Sequence, residues 1–288
     1  MRLSLSRKSI FKRSQSIATI QKALDSGVNF LNTGTFYGFF NHNLKLVGEA
    51  IKGYNREDVF ISLKYGNFTP MAFLGADVKV GPKYAREYLM KSLKYLGVDY
   101  IDLYQPARVD SGIPIEETME ALKELVDEGL VKHIGLSEVD AETLRKAHAV
   151  HPVSLVEMVY SITDNSIEAE VLPTARELGI GVVAFGIMGL GKLLKQEGDP
   201  LTDTLHKMTK EKNISLSQLA HAWILAKGDD IIPLMGARTV SQLDDTFQSI
   251  DVNLSEDDIS KIENAIKNSK IVGPSMPKMV IKNGVLVR

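Results

Sequence analysis

Five times in 288 residues an amphipathic helical pattern ends at a glycine and gives way at once to a short apolar run. The glycines are Gly27, Gly97, Gly129, Gly179 and Gly228. Glycine suits the position just past a helix end because it enters the left-handed region without a Cβ clash. The runs that follow are 28–31, 98–104, 130–136, 180–185 and 229–234. They are rich in β-branched and aromatic residues, as strands buried on both faces should be. Two more strands fit the series, 58–63 and 154–158, and Met1, Leu3 and Leu5 alternate as a short first strand would. Helical patterns cover 17–26, 44–52, 82–96, 114–128, 141–150, 167–178, 202–212, 216–227, 240–249 and 256–268. Pro82 and Pro114 stand early in their helices, and Ser255 with Asp258 forms a variant capping box. Strands alternating with helices predict a parallel sheet with right-handed crossovers. Eight such units in about 250 residues favour an α/β fold of the closed (β/α)8 TIM barrel type. No linker or low-complexity segment divides 1–288, so a single domain is expected, with an atypical start at 1–15. The tail 271–288, with Gly273-Pro274 and Asn283-Gly284, reads as an arm over the barrel or as disorder.

Composition removes several functions. A net charge of -2 offers no basic face to nucleic acid or to an anionic membrane. No apolar run reaches the length of about 18 residues that a membrane span needs. With no cysteine in the chain there is no disulfide framework, thiol catalysis or cysteine-ligated zinc. That usage fits a reducing cytoplasm. The first twenty residues alternate basic residues with serines, and no acid precedes Asp25. Such a start suits an organellar transit peptide; a short strand followed by a basic loop is the plainer reading.

In a (β/α)8 barrel the strand ends and the loops after them form the working face. The first strand stops at Asn32-Thr33-Gly34-Thr35-Phe36-Tyr37-Gly38, and the next ends at Lys64. A tyrosine with a free pKa near 10 becomes a usable acid at neutral pH when a cation lies close. Neighbouring strands are about 4.8 Å apart, so Tyr37 and Lys64 can reach one point. Gly186-Ile187-Met188-Gly189-Leu190-Gly191-Lys192 matches seven positions of a P-loop, but Leu193 stands where Mg²⁺ binding needs Ser or Thr. Backbone amides facing a pyrophosphate remain a sensible use of that loop. Gly236, Ala237 and Arg238 end the last strand just before a helix, a ready phosphate corner. The six histidines make no metal set; His42 alone lies near a strand-end loop.

With these residues assembled, the chain resembles the aldo-keto reductase family from about residue 16 to 268. The likeness rests on segments 23–31, 56–66, 98–105, 133–138 and 231–238. The resemblance implies a barrel that binds NADPH across its rim and reduces aldehydes and ketones by hydride transfer, a tyrosine supplying the proton. Of the family's Asp, Tyr, Lys and His, Tyr37 and Lys64 are kept; Asn32 replaces the Asp and Ala107 the His. For the cofactor, Ser137 and Glu138 match the pair facing the nicotinamide amide, Glu157 falls where a glutamine completes that contact, and Phe185 falls where an aromatic stacks on the ring. Gly186, Gly189 and Gly191 belong to the glycine-rich loop. Gly236, Ala237, Arg238 and Gln242 match the clamp on the 2'-phosphate and adenosine, with Asp245 and Thr246 replacing its closing pair.

Family members also begin with a hairpin that plugs the barrel floor; here that hairpin is absent and the chain starts near the end of the first strand. Either 1–5 serves as a short first strand or the barrel has an open edge, which would favour pairing with a second copy. A monomer or homodimer is expected. Losing the carboxylate beside Lys64 weakens the electrostatic support of Tyr37, and losing an orienting donor at Ala107 costs on the order of 10²–10³-fold. The expected function is NADPH-dependent reduction of a small carbonyl substrate with weak or altered activity. The alternative is an NADPH-binding regulatory or partner subunit with impaired catalysis.

Overall fold

The structure is a computed structural model that describes residues 13–38, 41–66, 78–194, 198–273 and 279–287. The chain divides into two compact units. The first comprises 1–156, 236–240 and 278–288; the second comprises 157–235 and 241–277.

In the first unit helices and strands alternate as α1 (Arg13–Asp25), β1 (Phe30–Gly34), α2 (His42–Ile51), β2 (Phe60–Tyr65), α3 (Pro82–Leu96) and β3 (Ile101–Pro106). There follow α4 (Ile115–Asp127), β4 (Val131–Ser137) and α5 (Ala141–Val150), then β5 (Val153–Val159), which runs past the unit's last residue, 156. Strands β1 to β4 pair in sequence order, all parallel. The register sets Asn32 beside Ser62, Gly34 beside Lys64, and Lys64 beside Gln105. Parallel partners in register share a face, so these polar residues lie side by side on one surface of the sheet. The helices cover apolar surface through residues at helical spacing. In α4 these are Ile115, Thr118, Met119, Leu122 and Leu125, all buried. Each large apolar side chain buried this way contributes about 1.5–3 kcal/mol. At the start of the strands the buried Asp102 carboxylate accepts from the Ile61 amide at 2.9 Å and pairs with Arg56 at 2.5 Å. This ties β2 to β3 at the end away from Lys64.

The second unit holds the rest of β5, then α6 (Val171–Glu177), β6 (Gly181–Phe185), α7 (Pro200–Lys212), α8 (Leu216–Leu225) and β7 (Ile231–Pro233). After α9 (Val240–Phe247), whose first residue belongs to the first unit, comes α10 (Glu256–Lys267). Strands β6 and β7 are parallel, Val183 beside Ile232. The Ser255–Asp258 capping box read from sequence is present, and a second one, Ser215 with Gln218, opens α8.

All five punctuating glycines have positive φ, between 68° and 148°. The seven parallel strands described begin at β1, because the expected strand at 1–5 and the question of an open edge beside it lie outside the described residues. Residues 280–287, at the end of the expected arm or disordered tail, are ordered. They make an antiparallel hairpin, β8 (Val280–Lys282) and β9 (Val285–Val287), within the first unit. Asn283 and Gly284 turn it with φ of 53° and 77°, the pair of positive values that a tight two-residue hairpin requires.

Candidate active site

Strand β1 delivers Asn32 and then breaks at Gly34 into the loop carrying Tyr37. The Lys64 ammonium donates to Asn32 Oδ1 at 2.7 Å, and Asn32 Nδ2 donates to Ser62 Oγ at 3.4 Å. On the next strand Gln105 Nε2 donates to the same Ser62 hydroxyl at 3.3 Å. A polar chain therefore runs Gln105–Ser62–Asn32–Lys64 along one face. Lys64 is 4% exposed, and Ser62 and Gln105 are fully buried. An ammonium withdrawn from water needs such a partner, since burying a charge without one is costly. Lys64 Nζ also lies 5.8 Å from the centroid of the Tyr37 ring, within reach of a cation–π contact. Tyr37 is half-buried, with Phe36 packed edge-on against it at 4.4 Å.

Gly34 makes room for this ring. A Cβ there would stand 3.1 Å from both the Tyr37 and the Phe36 ring carbons. Behind the loop Thr35 acts as a two-way tie. Its hydroxyl donates to the Gly66 carbonyl at 2.8 Å and accepts from the Gly66 amide at 3.1 Å, while its own amide donates to the Lys64 carbonyl at 2.9 Å. The Thr33 hydroxyl accepts from Asn43 on α2, and both are buried. His42, at the start of α2, has its imidazole pKa held below the usual value by burial, then by Arg13 and Lys45. Tyr65 is not a second candidate acid. It is fully buried, stacks on Tyr104 at 4.9 Å, and burial pushes its phenol well up.

Ala107 is 2% exposed, its amide bonded to the Tyr65 carbonyl at 2.9 Å. Arg108 donates to the Ala107 carbonyl at 2.6 Å and reaches the Glu138 carboxylate at 4.0 Å. Ser137, 1% exposed, ends β4, and Glu138 follows in the left-handed region with φ 55°. That conformation costs a non-glycine residue roughly 1–2 kcal/mol. It swings the Glu138 side chain out of the strand's alternation. Gly236 is exposed with open space where a Cβ would stand, and Arg238, also exposed, lies two residues before α9.

In the second unit Glu157 is 3% exposed on β5, and Phe185 ends β6 half-buried, its carbonyl accepting from the Tyr160 amide at 3.1 Å. Gly186, Gly189 and Gly191 all have positive φ. The Gly189 amide donates to Gly186 at 2.7 Å and the Gly191 amide to Met188 at 3.0 Å, so these two groups serve the loop itself. Gln242 is exposed on α9. Asp245 faces α8, accepting from the Ser215 hydroxyl at 3.0 Å and from Gln218 at 3.1 Å. The sequence did not point to Ser62, nor to the contacts that Gln105, Thr35 and the Arg108–Glu138 pair make. Counting back by two from Lys64 and carrying the register to β3 would have found the first two.

The described strands are parallel and alternate with helices, and a buried lysine lies beside a tyrosine where two of them end. The chain belongs to the aldo/keto reductase family, whose sequence model matches residues 3–267. It is 37% identical over 281 residues to "Probable aldo-keto reductase 1" of Glycine max, spanning 89% of this chain and 81% of that protein. Among solved structures it is similar to the thermostable aldo-keto reductase Tm1743 in complex with the inhibitor epalrestat, at 26% identity and a TM-score of 0.77, covering 88% of each chain. An aldo/keto reductase from Klebsiella pneumoniae in complex with NADP and acetate matches at 22% identity and a TM-score of 0.76, over 96% of this chain and 89% of that one. The fold class is accordingly the (β/α)8 barrel.

Proposed function

We propose that this chain is an NADPH-dependent oxidoreductase that reduces the carbonyl group of a small aldehyde or ketone, working in the cytoplasm. The observation that carries the reading is the Lys64–Asn32 bond at 2.7 Å with Tyr37 beside the same ammonium. It puts a phenol, a cation and a hydrogen-bond acceptor at adjoining strand ends, the set that proton donation to a carbonyl oxygen needs.

The groups present fit a nicotinamide dinucleotide phosphate. A carboxamide offers an oxygen that accepts and an amino group that donates. The buried Ser137 hydroxyl and the Glu138 carboxylate are complementary to those two ends. Gly236, Ala237 and Arg238, at the approach to a helix N-terminus, suit a phosphate. By the family resemblance the second unit's Glu157, Phe185, Gly186, Gly189, Gly191, Gln242 and Asp245 go with the same cofactor, although Asp245 already serves α8.

When bound, NADPH supplies the hydride that the carbonyl carbon receives. Tyr37 gives its phenolic proton to the carbonyl oxygen as charge develops there and recovers one from solvent. Such general acid catalysis is worth about 10²–10⁴-fold. Lys64 stabilises the transient phenolate, and Asn32 holds Lys64 in place without adding a negative charge. Ala107 presents no orienting donor, so carbonyl alignment falls to the remaining contacts and turnover is slow. Those two replacements also favour a second reading, an NADPH-binding regulatory or partner subunit.

Fluorescence titration with NADPH, followed by NADPH oxidation with a panel of aldehydes, ketones and quinones, separates the two. Binding and slow turnover are expected, the turnover raised about 10-fold or more by Asn32→Asp with Ala107→His. Binding with no turnover, unrescued by those substitutions, leaves only the regulatory reading; no binding defeats both.

A further inference from the structure

We propose that Ser62 is a positioning residue for the reduction: its buried hydroxyl sets which end of the Asn32 amide faces Lys64, and so keeps the ammonium in place beside Tyr37. This rests on the carbonyl-reductase reading above. An asparagine side chain ends in an accepting oxygen and a donating amino group of nearly the same shape. A lysine ammonium only donates, so it binds the oxygen and is repelled by the amino group. The carboxylate that the family resemblance implies at this position would offer an acceptor at either end and need no orienting. Asn32 does need it.

Ser62 supplies the orienting group. Asn32 on β1 and Ser62 on β2 are register partners. Asn32 Nδ2 donates to Ser62 Oγ at 3.4 Å, while Oδ1 accepts from the Lys64 ammonium at 2.7 Å. The same Ser62 oxygen accepts from Gln105 Nε2 at 3.3 Å. A hydroxyl oxygen has two lone pairs, and the two amides engage both. Ser62 therefore meets Asn32 as an acceptor, which suits the Nδ2 end of that amide. Gln105 is seated from β4, where Gly135 leaves it space. A Cβ on Gly135 would stand 3.2 Å from Gln105 Oε1 and 3.1 Å from the Leu155 carbonyl oxygen. Ser62 and Gln105 are both fully buried, and in such surroundings a donor turned towards another donor is costly. Lys64 in turn lies 5.8 Å from the centroid of the Tyr37 ring. Ser62 thus acts on the proton donor through Asn32 and Lys64, in an orientation that the asparagine makes necessary.

The test is a double-mutant cycle. Ser62→Ala is made in the wild-type chain and in the Asn32→Asp chain. Single-turnover NADPH oxidation is followed at saturating cofactor, with the best carbonyl of the panel varied to separate maximal rate from half-saturation. In the wild-type chain the maximal rate is expected to fall about 10- to 100-fold, the scale of a misplacement near 1 Å. NADPH affinity and carbonyl half-saturation should change about twofold or less, as for a contact that matters only in the transition state. In the Asn32→Asp chain the same substitution should cost about threefold or less, because either carboxylate oxygen accepts from Lys64. Ser62→Cys keeps the shape and accepts only weakly, so it should show the same pattern and serves if the alanine chain does not fold. A general loosening of the strands would cost the same in both chains. Equal losses therefore overturn the proposal, as does an undiminished rate in the wild-type chain or a loss confined to NADPH affinity or half-saturation. A wild type that turns over no carbonyl overturns the reading beneath it and the proposal with it; an active wild type with equal losses overturns the proposal alone.

Discussion

Thr35 shows how much of this site depends on groups that touch no reacting atom. Its hydroxyl gives and takes a hydrogen bond at Gly66, pinning the Tyr37 loop to the strand that carries Lys64. Valine keeps the shape of threonine and removes both bonds. Thr35→Val should therefore lower kcat about 10- to 100-fold, the scale of a misplacement near 1 Å, with NADPH affinity unchanged. Thr35→Ser should recover most of the loss, since the hydroxyl returns. Steady-state kinetics of the two variants beside a fluorescence titration checks this; a Thr35→Val chain with the kcat of wild type would mean that the hydroxyl does not matter. At this scale Tyr37, Lys64 and Asn32 were legible in the sequence because strand ends announce themselves. The tie at Thr35 was not, because its partner is the backbone of Gly66, 31 residues away. Backbone amides carry no sequence signature.

Helix α8 shows what a single element adds. Its capping box, Ser215 with Gln218, satisfies the first turn, and its buried face includes Leu219, Ala220, Trp223 and Ile224. Within that face lies His221, 3% exposed, with Nδ1 against the Ser217 carbonyl at 2.8 Å and Nε2 buried without a hydrogen-bond partner among the described residues. Burial holds its pKa below 6.5, against the opposing pulls of the Ser217 carbonyl and Asp245. The unfolded chain therefore binds this proton more readily than the folded one. Stability is complete above about pH 6.5 and falls as pH drops towards the folded pKa, by at most about 1.4 kcal/mol per pH unit for this group. His221→Leu should flatten that part of the curve, as urea unfolding at pH 7.0 and pH 5.5 would register. An undiminished acid slope in the variant would place the effect elsewhere. Elements were the most legible level of the fold. Glycine exits and the Ser255 capping box were readable, and strand limits moved by only a few residues. The tail was legible only as an arm or as disorder, although Asn283-Gly284 between Val280–Lys282 and Val285–Val287 is a strong hairpin signal. Its strands are too short to look independent, and only docking against Val78 and Val80 orders them.

For the molecule as a whole, the helix–glycine–strand repeat was enough to give the fold class, since a buried parallel sheet leaves few alternatives. The repeat says nothing of chemistry. By the resemblance, Asn32 and Ala107 stand where the family has an aspartate and a histidine. The first unit gives Lys64 a neutral acceptor at the former and flanks the latter with Arg108, which donates to the Ala107 carbonyl. No described helix is long and apolar enough to cross a membrane, and the whole chain is cysteine-free. The central claim is that Tyr37 donates the proton in carbonyl reduction, and Tyr37→Phe tests it most directly, by single-turnover NADPH oxidation at saturating cofactor with the best carbonyl of the panel. NADPH affinity is expected within twofold of wild type and the rate about 10²–10⁴-fold lower. A Tyr37→Phe chain that oxidises NADPH as fast as wild type would contradict it.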